Sequence, residues 1–128
     1  MKPIFLASYP RSGNTYLRTI LNHCFEMKSA SVYPNDLGGN KKLENYVGHI
    51  EHLNNGQIPL KPFANNLFLL KTHERNATDT KSIYVLRDAR PVALSAYNFT
   101  ERKVSLEDVI KGNHRWGTWA DHIESWTH

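Results

Sequence analysis

Three short runs of apolar residues constrain what this chain can fold into more than any other feature. They span residues 4–7, 67–70 and 83–86, and each runs into a polar turn. Continuous apolar runs of this length are typical of strands buried on both faces of a sheet. Helical patterns follow the first and third runs. The sequence therefore predicts an α/β fold, a parallel sheet with flanking helices.

The apolar spacing also predicts where the helices lie. After the first run, one helix face carries apolar side chains at helical spacing: Leu17, Ile20, Leu21, Cys24 and Phe25. Residues 29–42 are rich in Gly, Asn and Pro and predict a loop. A second amphipathic helix is expected over residues 43–53, and a third begins near Pro91. Ser105 resembles a helix cap, and a last helix should carry Trp116, Trp119, Ala120 and Ile123.

Size and charge limit the classes of function. A chain of 128 residues suits a single domain, residues 1–128, and its net charge of +4 favours anionic ligands. The basic residues are scattered, so we expect no nucleic-acid partner. Cys24 is the one cysteine, which predicts a buried structural thiol in a reducing, cytoplasmic compartment. The apolar start at residues 4–7 is too short to span a membrane or to form a signal-peptide core, so no membrane partner is expected.

The turn after the first predicted strand has the chemistry of a phosphate site. It reads Ser8-Tyr9-Pro10-Arg11-Ser12-Gly13-Asn14-Thr15-Tyr16. Gly13 lets the backbone approach a ligand, and the N–H groups that open the following helix attract an anion. Ser12, Asn14 and Thr15 add side-chain donors, and Arg11 adds a permanent cation.

Two other interpretations of this turn remain open. It could be a polar loop in which Asn14 or Thr15 caps an ordinary helix. It could also be the phosphate loop of a nucleotide triphosphatase or kinase, which needs Gly-x-x-x-x-Gly-Lys-[Ser/Thr]. Against the second interpretation, Ser8 stands at the first glycine position and Asn14 at the lysine position.

Two segments together resemble the sulfotransferase family. Its 5′-phosphosulfate loop reads Y-P-[K/R]-S-G-[T/N]-T, which residues 9–15 match throughout. Residues 84–97 resemble its 3′-phosphate site, a strand followed by R-[N/D]-x-x-[D/P]-x-[A/V]-x-S. The resemblance implies that residues 11–15, with Tyr16, bind the 5′ side of the donor 3′-phosphoadenosine 5′-phosphosulfate (PAPS). It implies that Arg87 and Ser95 hold the 3′-phosphate.

Further segments extend the resemblance over most of the chain. Lys71-Thr72-His73 resembles the family's K-T-H, in which the histidine is the usual general base. Residues 116–126 resemble its G-x-W-x-x-H-x-x-x-W helix, whose tryptophans we expect in the core. The implied reaction is transfer of a sulfuryl group from PAPS to a hydroxyl or amine of a small-molecule or carbohydrate acceptor. The product is adenosine 3′,5′-bisphosphate (PAP). His73 would remove the acceptor proton, Arg11 would stabilise developing charge, and no metal is required.

Two departures from the family pattern carry expectations of their own. Arg11 stands where cytosolic members usually have lysine, so it can neutralise charge but is a poor proton donor. The family's late R-K-G-x-x-G-D-W-K segment is not in the sequence. We therefore expect a short or truncated core whose sheet is incomplete on its C-terminal side and which associates with itself or another chain.

Two functional alternatives remain open at the level of sequence. A phosphate-loop triphosphatase or kinase would use Asp88, after the third apolar run, to bind magnesium. A truncated fragment would bind nucleotide without turnover. The pair His49 and His52, one helical turn apart, has no third ligand at a telling spacing, so a solvated helix face is favoured over a metal site.

Overall fold

Four parallel strands form one sheet in the computed structural model, which describes residues 3–50, 68–76 and 80–127. The strands are β1 (Ile4–Ser8), β2 (Ser29–Ser31), β3 (Leu69–Thr72) and β4 (Ser82–Val85), in the order β2-β3-β1-β4. In the register of the two central pairs, Ala7 lies beside Thr72 on one side and Tyr84 on the other. The carboxyl ends of β1, β3 and β4 therefore meet at one edge. The predicted α/β fold with a parallel sheet is confirmed.

Five α-helices flank this sheet in the described part of the chain. They are α1 (Asn14–Phe25), α2 (Lys41–Val47), α3 (Ala89–Phe99), α4 (Leu106–Lys111) and α5 (Trp119–Glu124), with a 3₁₀ turn at Asp36–Gly39. Side chains cap four of them at the N-terminus: Asn40, Asp88, Ser105 and Thr118. Gly13 precedes α1 and supplies no side-chain cap. None of the described helices is long and apolar enough to cross a membrane.

The core of the fold lies around the two central strands. Leu6 and Ala7 of β1 are fully buried, and Leu69 and Leu70 of β3 are nearly so. Burying a leucine side chain contributes about 1.5–3 kcal/mol relative to leaving it exposed. Val92 of α3 is also buried. The apolar runs thus fix the sheet, and the polar residues that follow each strand are left at its carboxyl edge.

The structure corrects three predicted elements. Residues 29–42 were expected to form a loop, but they contain β2 and the 3₁₀ turn. The second helix was expected to reach residue 53, but α2 ends at Val47 because Gly48 adopts a left-handed conformation with φ of 60°. Residues 51–67, which include the second half of that predicted helix and His52, lie outside the described residues. Trp116 precedes α5 rather than lying within it.

Helix α1 also differs from its predicted apolar face. Cys24 was expected to be a buried thiol, but it is exposed, as is Phe25 in the same last turn. The most deeply buried residues of α1 are instead Asn14 and Arg18, one turn apart. Asn14 donates to Leu6 O, and Arg18 pairs with Asp36. The most buried face of α1 is therefore held by hydrogen bonds and charge rather than by apolar packing.

Candidate functional site

A cavity of about 1060 Å³ lies against the turns that follow β1, β3 and β4. Such a crevice, at the carboxyl ends of parallel strands, is where open α/β sheets bind ligands. Residues from both proposed phosphate motifs line it together with the proposed base: Arg11, Gly13, Asn14, Thr15, Tyr16, His73, Arg87 and Ser95. The structure therefore brings together residues that are up to 84 positions apart in the sequence.

The turn between β1 and α1 adopts a backbone that favours anion binding. Arg11 and Gly13 both have positive φ, of 70° and 103°. The first N–H groups of a helix have no carbonyl partner within it, and Gly13 offers no side chain to cap those of α1. These N–H groups and the positive end of the 12-residue helix are available to an anion at the cavity wall.

Two buried polar atoms of this turn lack partners among the described residues, namely Ser12 Oγ and Asn14 Oδ1. The hydroxyl of Ser12 can donate to an anion. The amide nitrogen of Asn14 already donates to Leu6 O at 2.8 Å and to Ser8 Oγ at 3.2 Å. The remaining polar atom, Asn14 Oδ1, can only accept, so it cannot donate to a phosphate. The Asn14 side chain therefore anchors α1 to β1. The group of Asn14 that can face a phosphate is its backbone N–H.

Arg11, Arg87 and Ser95 meet at one wall of the cavity. Arg11 Nε donates to Ser95 Oγ at 3.1 Å, and Arg87 Nη1 donates to Arg11 O at 3.1 Å. The Arg11 guanidinium lies over the ring of Phe99, 4.6 Å from its centre. Two guanidinium groups and a hydroxyl at one wall form a site for a polyanion. Tyr16 lines the same cavity with 72% of its surface exposed.

His73 stands just beyond the end of β3 with a single ring nitrogen available. Nδ1 lies 2.8 Å from Ser8 O and 3.2 Å from Ser8 Oγ; since a carbonyl can only accept and a hydroxyl can also accept, Nδ1 carries the proton. No hydrogen bond engages Nε2 within the described residues, so it keeps its lone pair. Burial, assisted by the nearby Lys71 charge, lowers the pKa of His73 from 6.5 to about 4. His73 is therefore a neutral base at physiological pH.

A buried charge cluster beside His73 was not predicted from the sequence. Asp36 bridges two cations: Oδ2 lies 2.7 Å from Arg18 Nη1, and Oδ1 lies 2.6 Å from Lys71 Nζ. Burial opposes ionisation of Asp36, but Lys71 and Arg18 outweigh it and hold its pKa below the ordinary value. Lys71 did have a sequence signal, because it belongs to the motif Lys71-Thr72-His73 at the end of β3. Asp36 had no such signal in its Gly- and Asn-rich segment.

Asp88 is already engaged in ways that do not suit a magnesium ligand. Its Oδ1 accepts from Arg90 N and Nε, and its Oδ2 accepts from Arg90 Nη2 at 2.7 Å. This carboxylate thus caps α3 and pairs with an arginine. In the described part of the chain, no group of three or more His, Cys, Asp or Glu side chains is arranged to hold a metal ion.

Comparison with known proteins gives one consistent family. The family model described as "Sulfotransferase domain" matches residues 1–128. Among curated relatives, rat sulfotransferase 1 family member D1 is 28% identical over 141 residues, covering 96% of this chain and 47% of the relative. Human sulfotransferase 1E1 is 24% identical over 142 residues, with the same coverage. The chain therefore spans about half the length of the curated relatives it matches.

Two solved structures share the fold. The chain aligns with mouse sulfotransferase SULT7A1, solved in complex with PAP, at a TM-score of 0.56 and 23% identity. This match covers 98% of the chain and 46% of that structure. It aligns with retinol dehydratase, solved with retinol and PAP, at a TM-score of 0.57 and 18% identity, covering 98% of the chain and 51% of that structure.

Proposed function

Because the chain belongs to the sulfotransferase domain family, we propose that it transfers a sulfuryl group from PAPS to a hydroxyl or amine acceptor. The observation that carries the proposal is the convergence of Arg11, Arg87 and Ser95. These residues belong to two separate phosphate motifs and meet at one wall of a cavity that His73 also lines. A donor with phosphate groups at both its 5′ and 3′ positions requires two phosphate-binding motifs in one cavity.

The turn between β1 and α1 would hold the 5′ side of the donor. The uncapped N–H groups of α1 and the unpartnered hydroxyl of Ser12 supply donors there. Arg87 and Ser95 would hold the 3′-phosphate, and the exposed ring of Tyr16 offers a surface for the nucleoside. PAPS supplies an activated sulfuryl group joined to phosphate through a bridging oxygen. Ser95 Oγ accepts from Arg11 Nε, and its own O–H would donate to the 3′-phosphate.

His73 would act on the acceptor side. Nδ1–H is held by Ser8 O, so Nε2 is the atom that takes the proton from the acceptor hydroxyl or amine. As the acceptor atom bonds to sulfur, the bond from sulfur to the bridging oxygen breaks, and PAP leaves with that bond's electron pair. Arg11 would stabilise the negative charge that develops on the bridging oxygen. Positioning and charge stabilisation dominate in this type of transfer.

Two alternative functions would require other residues or another behaviour of the site. A phosphate-loop triphosphatase would need a lysine where Asn14 stands and a free carboxylate where Asp88 pairs with Arg90. The second alternative is a protein that binds the nucleotide without turnover. It would bind PAP yet transfer nothing to any acceptor. The cytoplasmic location and self-association remain predictions that accompany this proposal.

Replacing Arg87 with alanine tests the donor site. We expect PAP to bind more weakly by about 1.5–3 kcal/mol, the contribution of a charge-assisted hydrogen bond, with little effect on AMP, which lacks the 3′-phosphate. Isothermal titration calorimetry measures both ligands. Arg90→Ala is the matched control, because Arg90 is three residues away, is 89% exposed and pairs with Asp88. Equal losses for PAP and AMP in Arg87→Ala would remove the 3′-phosphate assignment.

A further inference from the structure

Helix α5 reaches two strand ends that carry proposed site residues. His122 Nε2 lies 2.8 Å from His73 O, and Trp119 Nε1 donates to Arg87 O at 3.1 Å. We propose that α5 is a positioning helix: His122 holds the proposed base His73, and Trp119 holds the proposed phosphate ligand Arg87. The inference rests on the proposed function, since it assigns these residues to the geometry of that site. Neither His122 nor Trp119 lines the cavity itself.

The protonation of His122 follows from its partners. Its Nε2 faces a carbonyl, which can only accept, so Nε2 carries a proton and donates it to His73 O. In the neutral ring, Nδ1 then accepts from the hydroxyl of Tyr84 at 2.8 Å. His122 is fully buried, and the ring of Tyr9 meets it edge-on at 5.5 Å. One orientation and one tautomer satisfy every polar atom of this ring.

With His122 in place, each polar atom of His73 except Nε2 is engaged. His73 N donates to the hydroxyl of Tyr33 at 2.8 Å, and Nδ1 donates to Ser8 O. The ring stacks on Tyr33 at 6.0 Å and meets Trp116 edge-on at 5.8 Å. Loss of the His122 donor would leave the carbonyl of His73 without that partner. The residue would then turn, and its ring would lose the geometry that keeps the proton on Nδ1.

The residues that follow His122 bind the next part of the same segment. Trp126 Nε1 donates to Glu74 O at 3.0 Å, and Asn76 N donates to Ser125 Oγ at 3.2 Å. Ser125 Oγ in turn donates to His122 O at 2.7 Å. Three hydrogen bonds thus tie residues 73–76 to α5 and its C-terminal end. Helix α5, together with Ser125 and Trp126 that follow it, thus fixes the strand end that bears the proposed base.

Trp119 makes the corresponding contact on the donor side. Its indole holds the backbone of Arg87, whose guanidinium reaches Arg11 O. Tyr84, which orients His122, lies three residues before Arg87 at the end of β4. Trp119 and His122 are neighbours on one short helix, yet each contacts a different strand end. Variants at these two positions should therefore affect different properties of the site.

The test compares His122→Phe, His122→Gln and Trp119→Phe in the full chain. Nitrogen-15 chemical shifts of the His73 ring report its tautomer without donor or acceptor. His122→Phe should convert a single Nδ1–H tautomer into a mixture and lower kcat by up to about 10²-fold, with PAP affinity unchanged. His122→Gln, whose amide nitrogen can replace Nε2 as a donor, should restore both. Trp119→Phe should weaken PAP binding and leave the His73 tautomer unchanged.

Several results would overturn the inference. One is an unchanged His73 tautomer in His122→Phe, whatever happens to the rate. Another is an equal loss of PAP affinity in the His122 and Trp119 variants, which would indicate general loosening of the fold. If His122→Phe does not fold, His122→Asn replaces it, because its shorter amide does not reach His73 O; identical spectra for the Asn and Gln variants would refute the inference. A tautomer that depends on His122 in a chain without transfer activity would refute the proposed function alone.

Discussion

Alanine in place of His73 is expected to lower the rate of sulfuryl transfer from PAPS by about 10²–10⁴-fold while leaving PAP affinity unchanged. The reason is that His73 is proposed to act on the acceptor, whereas other residues are proposed to bind PAP. Nε2 of His73 is the ring atom that can take a proton, and the pKa of about 4 keeps it unprotonated at neutral pH. In the proposed donor site, PAP would bind through the turn after β1 and through Arg87 and Ser95, which this change does not touch.

The measurement is PAP release under saturating PAPS across a panel of hydroxyl and amine acceptors, with PAP affinity determined in parallel. His23→Ala is the control, because His23 is an exposed histidine of α1 whose ring lies tilted against that of Tyr46. A His73→Ala variant that transfers at the parent rate would show that His73 is structural. A variant that loses PAP affinity together with rate would show that His73 belongs to the donor site instead.

Replacing Asp36 with asparagine is expected to destabilise the fold by about 3–5 kcal/mol, as when one partner of a buried ion pair is removed. Asp36 pairs with Arg18 and Lys71, whose side chains are 0% and 9% exposed. The change leaves two buried cations without a counter-charge and turns an amide N–H group toward one of them. Urea unfolding followed by circular dichroism measures the loss.

Glu107→Gln is the matched control for Asp36. It removes an exposed ion pair with Lys111, for which about 0.3–0.5 kcal/mol is expected. The parent protein should also lose Asp36's contribution to stability in acid. Because the folded pKa of Asp36 lies below its unfolded value, that contribution is present above the unfolded pKa and disappears as pH falls through the folded one. Similar losses of unfolding free energy in Asp36→Asn and Glu107→Gln would show that the buried cluster contributes no more than an exposed ion pair.

Much of the sheet could be predicted because β1, β3 and β4 overlap the three apolar runs in the sequence. β2 could not, since Ser29, Ala30 and Ser31 are small and mostly polar yet fully buried. Their burial depends on a partner distant in sequence: Arg18 Nε donates to Ser29 Oγ at 2.8 Å. A pattern of hydrophobicity cannot reveal a strand whose buried groups are satisfied by an arginine from a helix.

The candidate site also has a part that could be predicted from the sequence and a part that could not. Residues 11–16, His73, Arg87 and Ser95 were predicted from motifs that resemble those of the sulfotransferase family, and all of these except Ser12 line one cavity. The motif could not reveal that Asn14 turns its amide inward to Leu6 O, or that Arg11 bonds to Ser95. Nor could it reveal Asp36 and His122, because their roles arise from contacts across the fold. Sequence motifs predict candidate binding residues, whereas the contacts that support them are seen only in the folded structure.

A calorimetric comparison of PAP, AMP and magnesium–ATP binding to the unaltered chain tests the proposed donor site most directly. PAP should bind far more tightly than AMP, because Arg87 and Ser95, which both line the cavity, are proposed to hold a 3′-phosphate in addition to the 5′ group. ATP with magnesium should bind no more tightly than PAP, since Asn14 stands where a triphosphate loop needs lysine. Equal affinity for PAP and AMP, or tighter binding of magnesium–ATP than of PAP, would contradict the proposed function.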